Sequence, residues 1–171
     1  GHSLGEYSAL VAAGAIPFED AVRLVRSPAF VLFAATATAV QTSHAMLYGF
    51  GTLHWRSTAI TPDFIGVLWA SGVVAEIALF AVSGWVTARA GPADLLAIGA
   101  GCAVLRWLAM AFDPPAAALL PLQCLHALTF GAVHLGAIQF VAQAVRETEA
   151  GTAQAVLATV IGTVMGLATL L

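Results

Sequence analysis

Two groups of residues in this sequence have types and spacings that could do chemistry. At the start of the chain, Gly1-His2-Ser3-Leu4-Gly5 fits the G-x-S-x-G pattern of a nucleophile elbow, in which a serine on a tight turn attacks a carbonyl carbon. Further along, a few polar side chains recur inside long apolar stretches, which is typical of groups that bind a solute or carry protons within a membrane. Which of these two chemistries the chain can perform depends on the helices and turns that position each group of residues.

The composition excludes most soluble classes of protein. Of the 171 residues, 60% are hydrophobic and 9% are charged, whereas about a quarter of a globular chain is charged. The six cationic residues are all arginine and form no basic patch, so we expect no nucleic-acid partner. Cys102 and Cys124 both lie in apolar stretches, which excludes a disulfide scaffold. We expect a membrane protein whose partner is the lipid bilayer, with no cofactor and no metal ion.

Five stretches with few charges follow one another after residue 26, and each is long enough to cross a hydrocarbon core of about 30 Å as a helix. The alternating pattern of a barrel strand is missing, so the predicted fold is an all-α polytopic helix bundle. Ser27 and Pro28 predict the start of the first helix, as N-cap and first helical residue. The predicted spans are roughly 30–55, 64–88, 92–112, 116–145 and 152–171.

Residues 1–26 differ from the rest of the chain, because they hold five charges in a short stretch. They predict two short amphipathic helices, broken at Gly14 and Pro17, and the change in composition predicts a boundary near residue 27. The segment is not expected to fold independently. The chain as a whole is expected to be a piece of a longer protein.

The arginines predict the orientation of the spans. If every span crosses, Arg23, Arg26, Arg89 and Arg146 fall on one side and Arg56 falls on the other. By the positive-inside rule, the N-terminus is cytoplasmic. No cleavable signal peptide is visible. We expect a multi-pass protein of a bacterial-type inner (plasma) membrane.

Polar residues inside the spans recur at helical spacing, so that they share faces. The face of the first span carries Gln41, His44, Tyr48 and Trp55, and that of the fourth carries Gln123, His126, Phe130 and His134. The second span carries Glu76 at its predicted midpoint, and the third carries Arg106 near its far end.

Glu76 has two ways to avoid the cost of a buried charge, about 2.5–3.5 kcal/mol at the centre of a span. It is either protonated, or it pairs with a cation, for which Arg106 or a histidine is the candidate. Simpler interpretations stay open for the other residues. His126 and His134 could be hydrogen-bonded packing residues, Trp55 an anchor at the membrane interface, and Arg106 a side chain that reaches toward the outer interface.

Three strings in the spans resemble one transporter family. They are SHAMLYGFGTLHWR at 43–56, GVVAEIALF at 72–80 and LHALTFGAVHLG at 125–136. They are similar to the phenylpropionate-permease branch of the major facilitator superfamily, whose members are proton-coupled symporters of small organic acids or nucleosides. The stretch around Arg89 lies where that superfamily carries a short cytoplasmic Gly/Arg motif. The resemblance covers about residues 27–171.

The resemblance implies that the chain holds spans seven to eleven of a twelve-span transporter, an incomplete six-helix half. In such transporters the substrate lies between two halves that rock against each other, so one half is not expected to transport alone. The missing N-terminal half, protons and a small solute are the implied partners. The positions that match the strings and could contact substrate or protons are His44, Tyr48, Glu76, His126 and His134, and Arg106 is added as a possible ion partner.

The first segment resembles another family. GHSLGEYSALVAAG at 1–14 and FEDAVRLVR at 18–26 are similar to the nucleophile region of malonyl-CoA:acyl-carrier-protein transacylases. The resemblance implies that Ser3 is the nucleophile and that the backbone N–H of Leu4 helps to form the oxyanion hole. The arginine that binds malonate in that family has no counterpart here, and no later histidine lies in a family-like context. A serine without its base is a poor nucleophile, so Ser3 is read as vestigial.

Three functions therefore compete. The first is a fragment of a proton-coupled transporter with a foreign N-terminal segment. The second is an acyltransferase fragment fused to membrane helices, and the third is a helical membrane interaction protein that transports nothing. An anchor needs one helix and no carboxyl group within a span, which favours the first function over the second.

We predict that Ser3 is chemically inert. A fluorophosphonate probe, or malonyl-CoA labelled in its acyl group, should modify the chain no more than it modifies the Ser3→Ala variant, because the serine lacks a base. Intact-mass spectrometry of both proteins measures this. Labelling at Ser3 that the alanine variant lacks would show that the elbow is active.

Overall fold

Helices make up nearly all of the described part of this computed structural model, namely residue 22, residues 26–145 and residues 147–170, with the side chains of 147–149 excepted. No strand occurs among those residues. Five helical stretches there are long and apolar enough to cross a membrane: Pro28–Ser57, Pro62–Ala81, Pro92–Met110, Ala116–Ala144 and Ala150–Ala168. The predicted class and number of spans are confirmed. The elbow at Ser3 and the two predicted amphipathic helices lie outside the described residues.

The first and the fourth of the five spans are interrupted. The first consists of α1 (Pro28–Thr42) and α2 (Ala45–Ser57), and the second is α3 (Pro62–Ala81), which a short α4 (Ser83–Thr87) follows. The third is α5 (Pro92–Met110). The fourth consists of α6 (Ala116–Cys124), a π-helical segment (Ala127–Ala132) and α7 (Val133–Ala144), and the fifth lies in α8 (Glu147–Ala168).

Proline opens three of the helices. Pro28, Pro62 and Pro92 occupy the first turns of α1, α3 and α5, where the missing N–H costs nothing. Ser27 caps α1 as predicted, since its hydroxyl oxygen accepts a hydrogen bond from the Phe30 backbone N–H at 3.5 Å. These sequence signals place the helix starts within two residues of their predicted positions.

The second span is shorter than predicted. The stretch 64–88 has few charges, but the helix ends at Ala81, because Val82 leaves helical geometry with φ −108° and ψ 13°. Its N–H bonds to the Leu79 carbonyl at 3.2 Å, which closes the last turn. Glu76 therefore lies in the last two turns of α3 and not at a midpoint, so the sequence prediction of its position was wrong.

The helices pack around two apolar clusters. One joins α1, α5, α7 and α8, and the other joins α2, α3 and α6 toward the opposite end of the bundle. Close approach between α5 and the fourth span depends on small residues. At Gly99, an added Cβ would overlap the Val133 side chain and lie 3.0 Å from the Leu128 carbonyl oxygen.

We predict that Gly99→Ala destabilises the bundle by about 1–3 kcal/mol, because the methyl group overpacks the contact between α5 and the fourth span. Gly101→Ala is the matched control, since an added Cβ there meets no atom within 4 Å. Unfolding by SDS in mixed micelles measures both variants. Equal stability of the two variants would contradict the predicted contact.

Candidate functional site

The interruption in the first span positions His44. After α1 ends at Thr42, the Ser43 hydroxyl donates to the Val40 carbonyl at 2.6 Å. The Nδ1 atom of His44 lies 3.1 Å from that oxygen and 3.2 Å from the Gln41 carbonyl oxygen. Two side chains thus take up carbonyl groups that the break leaves without helical partners, and the imidazole ring is held fully buried.

The π-helical segment positions Thr129 opposite that break. Leu128 and Thr129 both donate their backbone N–H groups to the Leu125 carbonyl at 2.9 Å, where the hydrogen-bond pattern of the fourth span changes. Short π segments inside α-helices occur frequently at functional sites. The Thr129 side chain is fully buried, and its hydroxyl lies between Arg106 of α5 and His44.

Arg106 is fully buried in the third span. Its Nη1 donates to the Thr129 hydroxyl at 3.1 Å and its Nη2 donates to the Gln123 side-chain oxygen at 2.8 Å. The guanidinium carbon lies 4.8 Å from the centre of the Trp107 ring, so the aromatic face adds a cation–π contact. The alternative that Arg106 reaches out to the membrane interface was wrong, because nearby polar groups on the fourth span hold it inside.

The hydrogen bonds around Thr129 run in one direction. Arg106 can only donate, so Thr129 accepts from it and donates its own hydroxyl hydrogen to Nε2 of His44 at 2.9 Å. His44 in turn donates from Nδ1 to the carbonyl of Val40. The Thr129 hydroxyl and both ring nitrogens of His44 are satisfied when His44 is a neutral imidazole with its proton on Nδ1, whereas Nε of Arg106 is buried without a partner among the described residues. These hydrogen bonds fix one tautomer and one ring orientation of His44.

Glu76 pairs with His126 and not with Arg106. Its carboxylate oxygen lies 3.5 Å from Nε2 of His126, and the two side chains are 18% and 12% exposed. Two glycines make room for the pair. An added Cβ at Gly72 would lie 3.4 Å from the Cβ of His126, and one at Gly131 would lie 3.5 Å from the Cγ of Glu76. Of the two cation partners predicted for Glu76, the structure selects the histidine.

Aromatic rings join the two groups of polar residues. The His126 ring lies 5.3 Å from the His44 ring, edge to face, and stacks on Phe130 at 5.1 Å. Phe130 stacks in turn on His134 at 6.5 Å. The Tyr48 ring lies 5.9 Å from His44. We call His44, Tyr48, Glu76, Arg106 and His126, with Gln123 and Thr129, the polar cluster.

All six site residues predicted within the spans therefore lie in or beside one cluster. His134 stands one ring away from it, because Phe130 separates it from His126. Thr129 was missed by the sequence analysis. Thr129 could have been found from the sequence, because a buried arginine needs hydrogen-bond acceptors and Thr129 is among the few polar residues in the fourth span.

Trp55 is not part of the cluster and not an interfacial anchor. Its side chain is 2% exposed and packs in the apolar cluster of α2, α3 and α6, with its ring 5.7 Å from that of Trp69. The sequence interpretation of Trp55 as a membrane anchor was wrong, because its side chain faces the neighbouring helices, while His54 and Arg56 beside it are exposed.

The polar cluster combines a fixed cation with a pair that can exchange protons. Arg106 stays charged and is held by neutral groups, whereas the carboxyl of Glu76 and the imidazole of His126 can each gain or lose a proton. Ionisable groups inside spans commonly mark proton relays and solute pathways. Broken helices at membrane depth are tolerated where they line such a pathway.

Comparison with known proteins identifies the family of the chain. A family model described as the MFS_1 like family matches residues 6–169. The chain belongs to the MFS_1 like family. A probable 3-phenylpropionic acid transporter of Escherichia coli (strain K12) is 36% identical over 110 residues, which are 64% of this chain and 29% of that protein. This family member is a multi-pass membrane protein by its spans, and the predicted transporter resemblance is confirmed.

Shorter matches involve another kind of protein. A malonyl CoA-acyl carrier protein transacylase of Staphylococcus aureus (strain COL) is 51% identical over 47 residues, 28% of this chain and 15% of that protein. The polyketide biosynthesis protein ThaF of Burkholderia thailandensis is 63% identical over 35 residues, 20% of this chain and 3% of that protein. The chain spans less than a third of the length of each of these three relatives. No solved structure matches the chain significantly.

We predict that Thr129→Val destabilises the protein by about 1–3 kcal/mol, because Nη1 of Arg106 and Nε2 of His44 each lose their buried hydrogen-bond partner. Thr38→Val is the matched control: Thr38 is also buried, and its hydroxyl has no hydrogen-bond partner among the described residues. Unfolding in mixed micelles compares the two variants. If Thr38→Val lost as much stability as Thr129→Val, the hydrogen bonds of Thr129 to Arg106 and His44 would contribute nothing specific to stability.

Proposed function

We propose that the chain forms part of one half of a proton-coupled secondary transporter of small organic solutes, of the aromatic acid or nucleoside class. The observation that carries the proposal is the polar cluster, in which Glu76 and His126 face each other next to the fixed charge of Arg106. The 36% identity to a probable 3-phenylpropionic acid transporter favours an aromatic acid over a nucleoside.

Proton coupling is assigned to Glu76. Its side chain is partly exposed, so a proton can reach it, and His126 stabilises the ionised carboxylate when the proton leaves. Tyr48, whose ring lies 6.3 Å from that of His126 and whose side chain is 40% exposed, presents its hydroxyl and aromatic face to a solute, while the buried His44 packs behind it. Arg106 keeps a positive field at the site without exposing its charge.

The other half of the transporter is required for transport in this proposal. Alternating access needs two halves that rock against each other around a shared site. Residues 1–26 play no part in it, and the boundary near residue 27 remains a prediction. An acyltransferase fragment that uses Ser3 is the second candidate, supported by the identity to transacylases, and it ranks lower because the base and the malonate-binding arginine are missing.

We predict that Glu76→Gln lowers the accumulation of 3-phenylpropionate driven by a proton gradient, while exchange of the solute across the membrane persists. The amide fills the same space but cannot ionise, so the proton that Glu76 carries is lost from the cycle and binding of the solute is not. The measurement is uptake into proteoliposomes by a twelve-span protein in which residues 27–171 supply spans seven to eleven.

Asp113→Asn is the matched control for that experiment. Asp113 is an exposed carboxylate between spans, where it accepts a hydrogen bond from His54 at 2.8 Å. Its variant should accumulate solute like the unchanged protein. Gradient-driven uptake of the same extent in Glu76→Gln would remove Glu76 from the coupling mechanism.

The proposed orientation has the N-terminal end of the first span in the cytoplasm of a bacterial-type inner membrane. Arg26 and Arg89 lie at that end of the bundle and Arg56 at the other, which supports it by the positive-inside rule. We predict that, with Cys102 and Cys124 replaced by alanine, an impermeant maleimide added to intact cells labels Ser57→Cys and leaves Ala88→Cys unlabelled. The reverse labelling pattern would show that the spans are oriented opposite to the proposal.

A further inference from the structure

A cavity of about 260 Å³ lies between α1, α7 and α8, next to the polar cluster. Three polar side chains reach its wall: Gln41, His134 and Gln154. The remaining lining consists of alanine, valine, leucine and isoleucine. None of the described residues that line it is Asp, Glu, Lys or Arg, and neither Glu76 nor Arg106 is among them.

The three polar side chains of the cavity lack partners within the protein. In the part of the chain that the structure describes, no hydrogen bond involves the side chain of Gln41, His134 or Gln154. Gln41 is only 5% exposed, and its side-chain oxygen is buried without a partner. Buried polar groups in folded proteins are normally hydrogen-bonded, so the side-chain oxygen of Gln41 is available to a ligand, and the side chains of His134 and Gln154 are exposed at the cavity wall.

The size and wall of the cavity suit a small and mostly apolar solute. Sites for drug-sized molecules run from about 300 to 1,000 Å³, and they combine apolar walls with a few convergent polar groups. This cavity lies just below that range, which fits a single ring with a short side chain. Gln41, His134 and Gln154 could pair with only some of the polar groups of a nucleoside, and the others would face alanine and leucine side chains here.

The residues that line the cavity also determine which protonation state of an acid can bind there. A carboxylate in this mostly apolar cavity loses its hydration, and no arginine or lysine is among the described lining residues. His134 could serve as a counter-ion only after it takes up a proton, so binding of the carboxylate is costly. A protonated carboxyl group has one donor and one acceptor, and a glutamine side chain offers the complementary acceptor and donor. The neutral acid can therefore bond to Gln41 or Gln154 in full, whereas the carboxylate can only accept.

We propose that this cavity is a substrate subsite and that it takes a small aromatic acid in its neutral, protonated form. The proposal rests on the proposed transport function and names the substrate form for it. Gln41 also connects the subsite to the polar cluster, since its backbone carbonyl accepts from His44. The bound acid carries its own proton, and a proton on Glu76 is a second one.

The test compares 3-phenylpropionic acid with its neutral analogue 3-phenylpropionamide. Binding to the purified chain in lipid nanodiscs is followed by saturation-transfer NMR at pH 4.5 and pH 6.5, with empty nanodiscs subtracted for partition into lipid. An aliphatic carboxyl ionises at about pH 4.3, so affinity for the acid should fall about sixtyfold between the two pH values. Affinity for the amide should stay the same.

Other outcomes overturn the proposal. If the acid binds equally at both pH values and the amide does not bind, the cavity holds a carboxylate. If affinity for acid and amide falls together, the titrating group belongs to the protein, and His134 is the ionisable side chain in the lining. In either case the neutral acid is not the bound form.

Two pairs of variants locate the binding. Ala158→Phe fills the cavity and should weaken binding of the amide at least tenfold, whereas Ala97→Phe fills a separate apolar groove of about 590 Å³ between α1, α5 and α7 and should not. Gln154→Leu should weaken binding of the amide severalfold, whereas Gln143→Leu, in the wall of the groove, should leave that binding unchanged. All four positions are exposed within the chain, so the substitutions leave the core intact.

Failure of this proposal and failure of the proposed function are distinguishable. Binding that Ala97→Phe blocks and Ala158→Phe leaves intact would move the ligand to the groove, while gradient-driven uptake could still depend on Glu76. Conversely, Ala158→Phe could block binding in a protein whose uptake does not depend on Glu76. The first result overturns the subsite alone, and the second overturns the coupling role alone.

Discussion

The burial of one positive charge among neutral groups is the constraint on which the rest of this bundle depends. Arg106 has no carboxylate within salt-bridge distance among the described residues, and its guanidinium is held by Thr129, Gln123 and the face of Trp107. Such an arrangement is stable only if every neighbouring oxygen is aimed correctly, since an unpaired charge in a span is costly. The π-helical segment and the break at His44 orient these groups.

The same constraint explains how Glu76 can act separately from Arg106. Because neutral acceptors already satisfy two of the guanidinium nitrogens, the carboxyl group is left to His126, whose Nε2 lies 3.5 Å from a carboxylate oxygen without a close hydrogen bond. A tight arginine–carboxylate pair would hold the carboxylate ionised. The weaker pairing with a histidine leaves a group that can change its protonation state, as a coupled transporter requires.

Much of this arrangement follows from the sequence, and the exceptions have physical causes. Composition and charge spacing predicted five helices, and the resemblance to a transporter family named His44, Glu76 and His126 together as candidate site residues. Composition could not predict the end of α3 at Ala81, because an apolar residue, Val82, makes the turn. Thr129 was missed because a threonine in an apolar span has no periodic signal of its own, and its role depends on a π turn that only the packing against α5 reveals.

The two helix interruptions have a mechanical consequence. An intact transmembrane helix resists bending along its whole length, whereas a break concentrates bending at a single point. The first and fourth spans are both broken where their polar side chains meet, at His44 and Thr129, and a single hydrogen bond of 2.9 Å ties the two breaks together. The interruptions of this bundle and its buried polar cluster thus coincide, so in the proposed transporter a change of protonation at Glu76 or His126 acts close to the points where the two spans are interrupted.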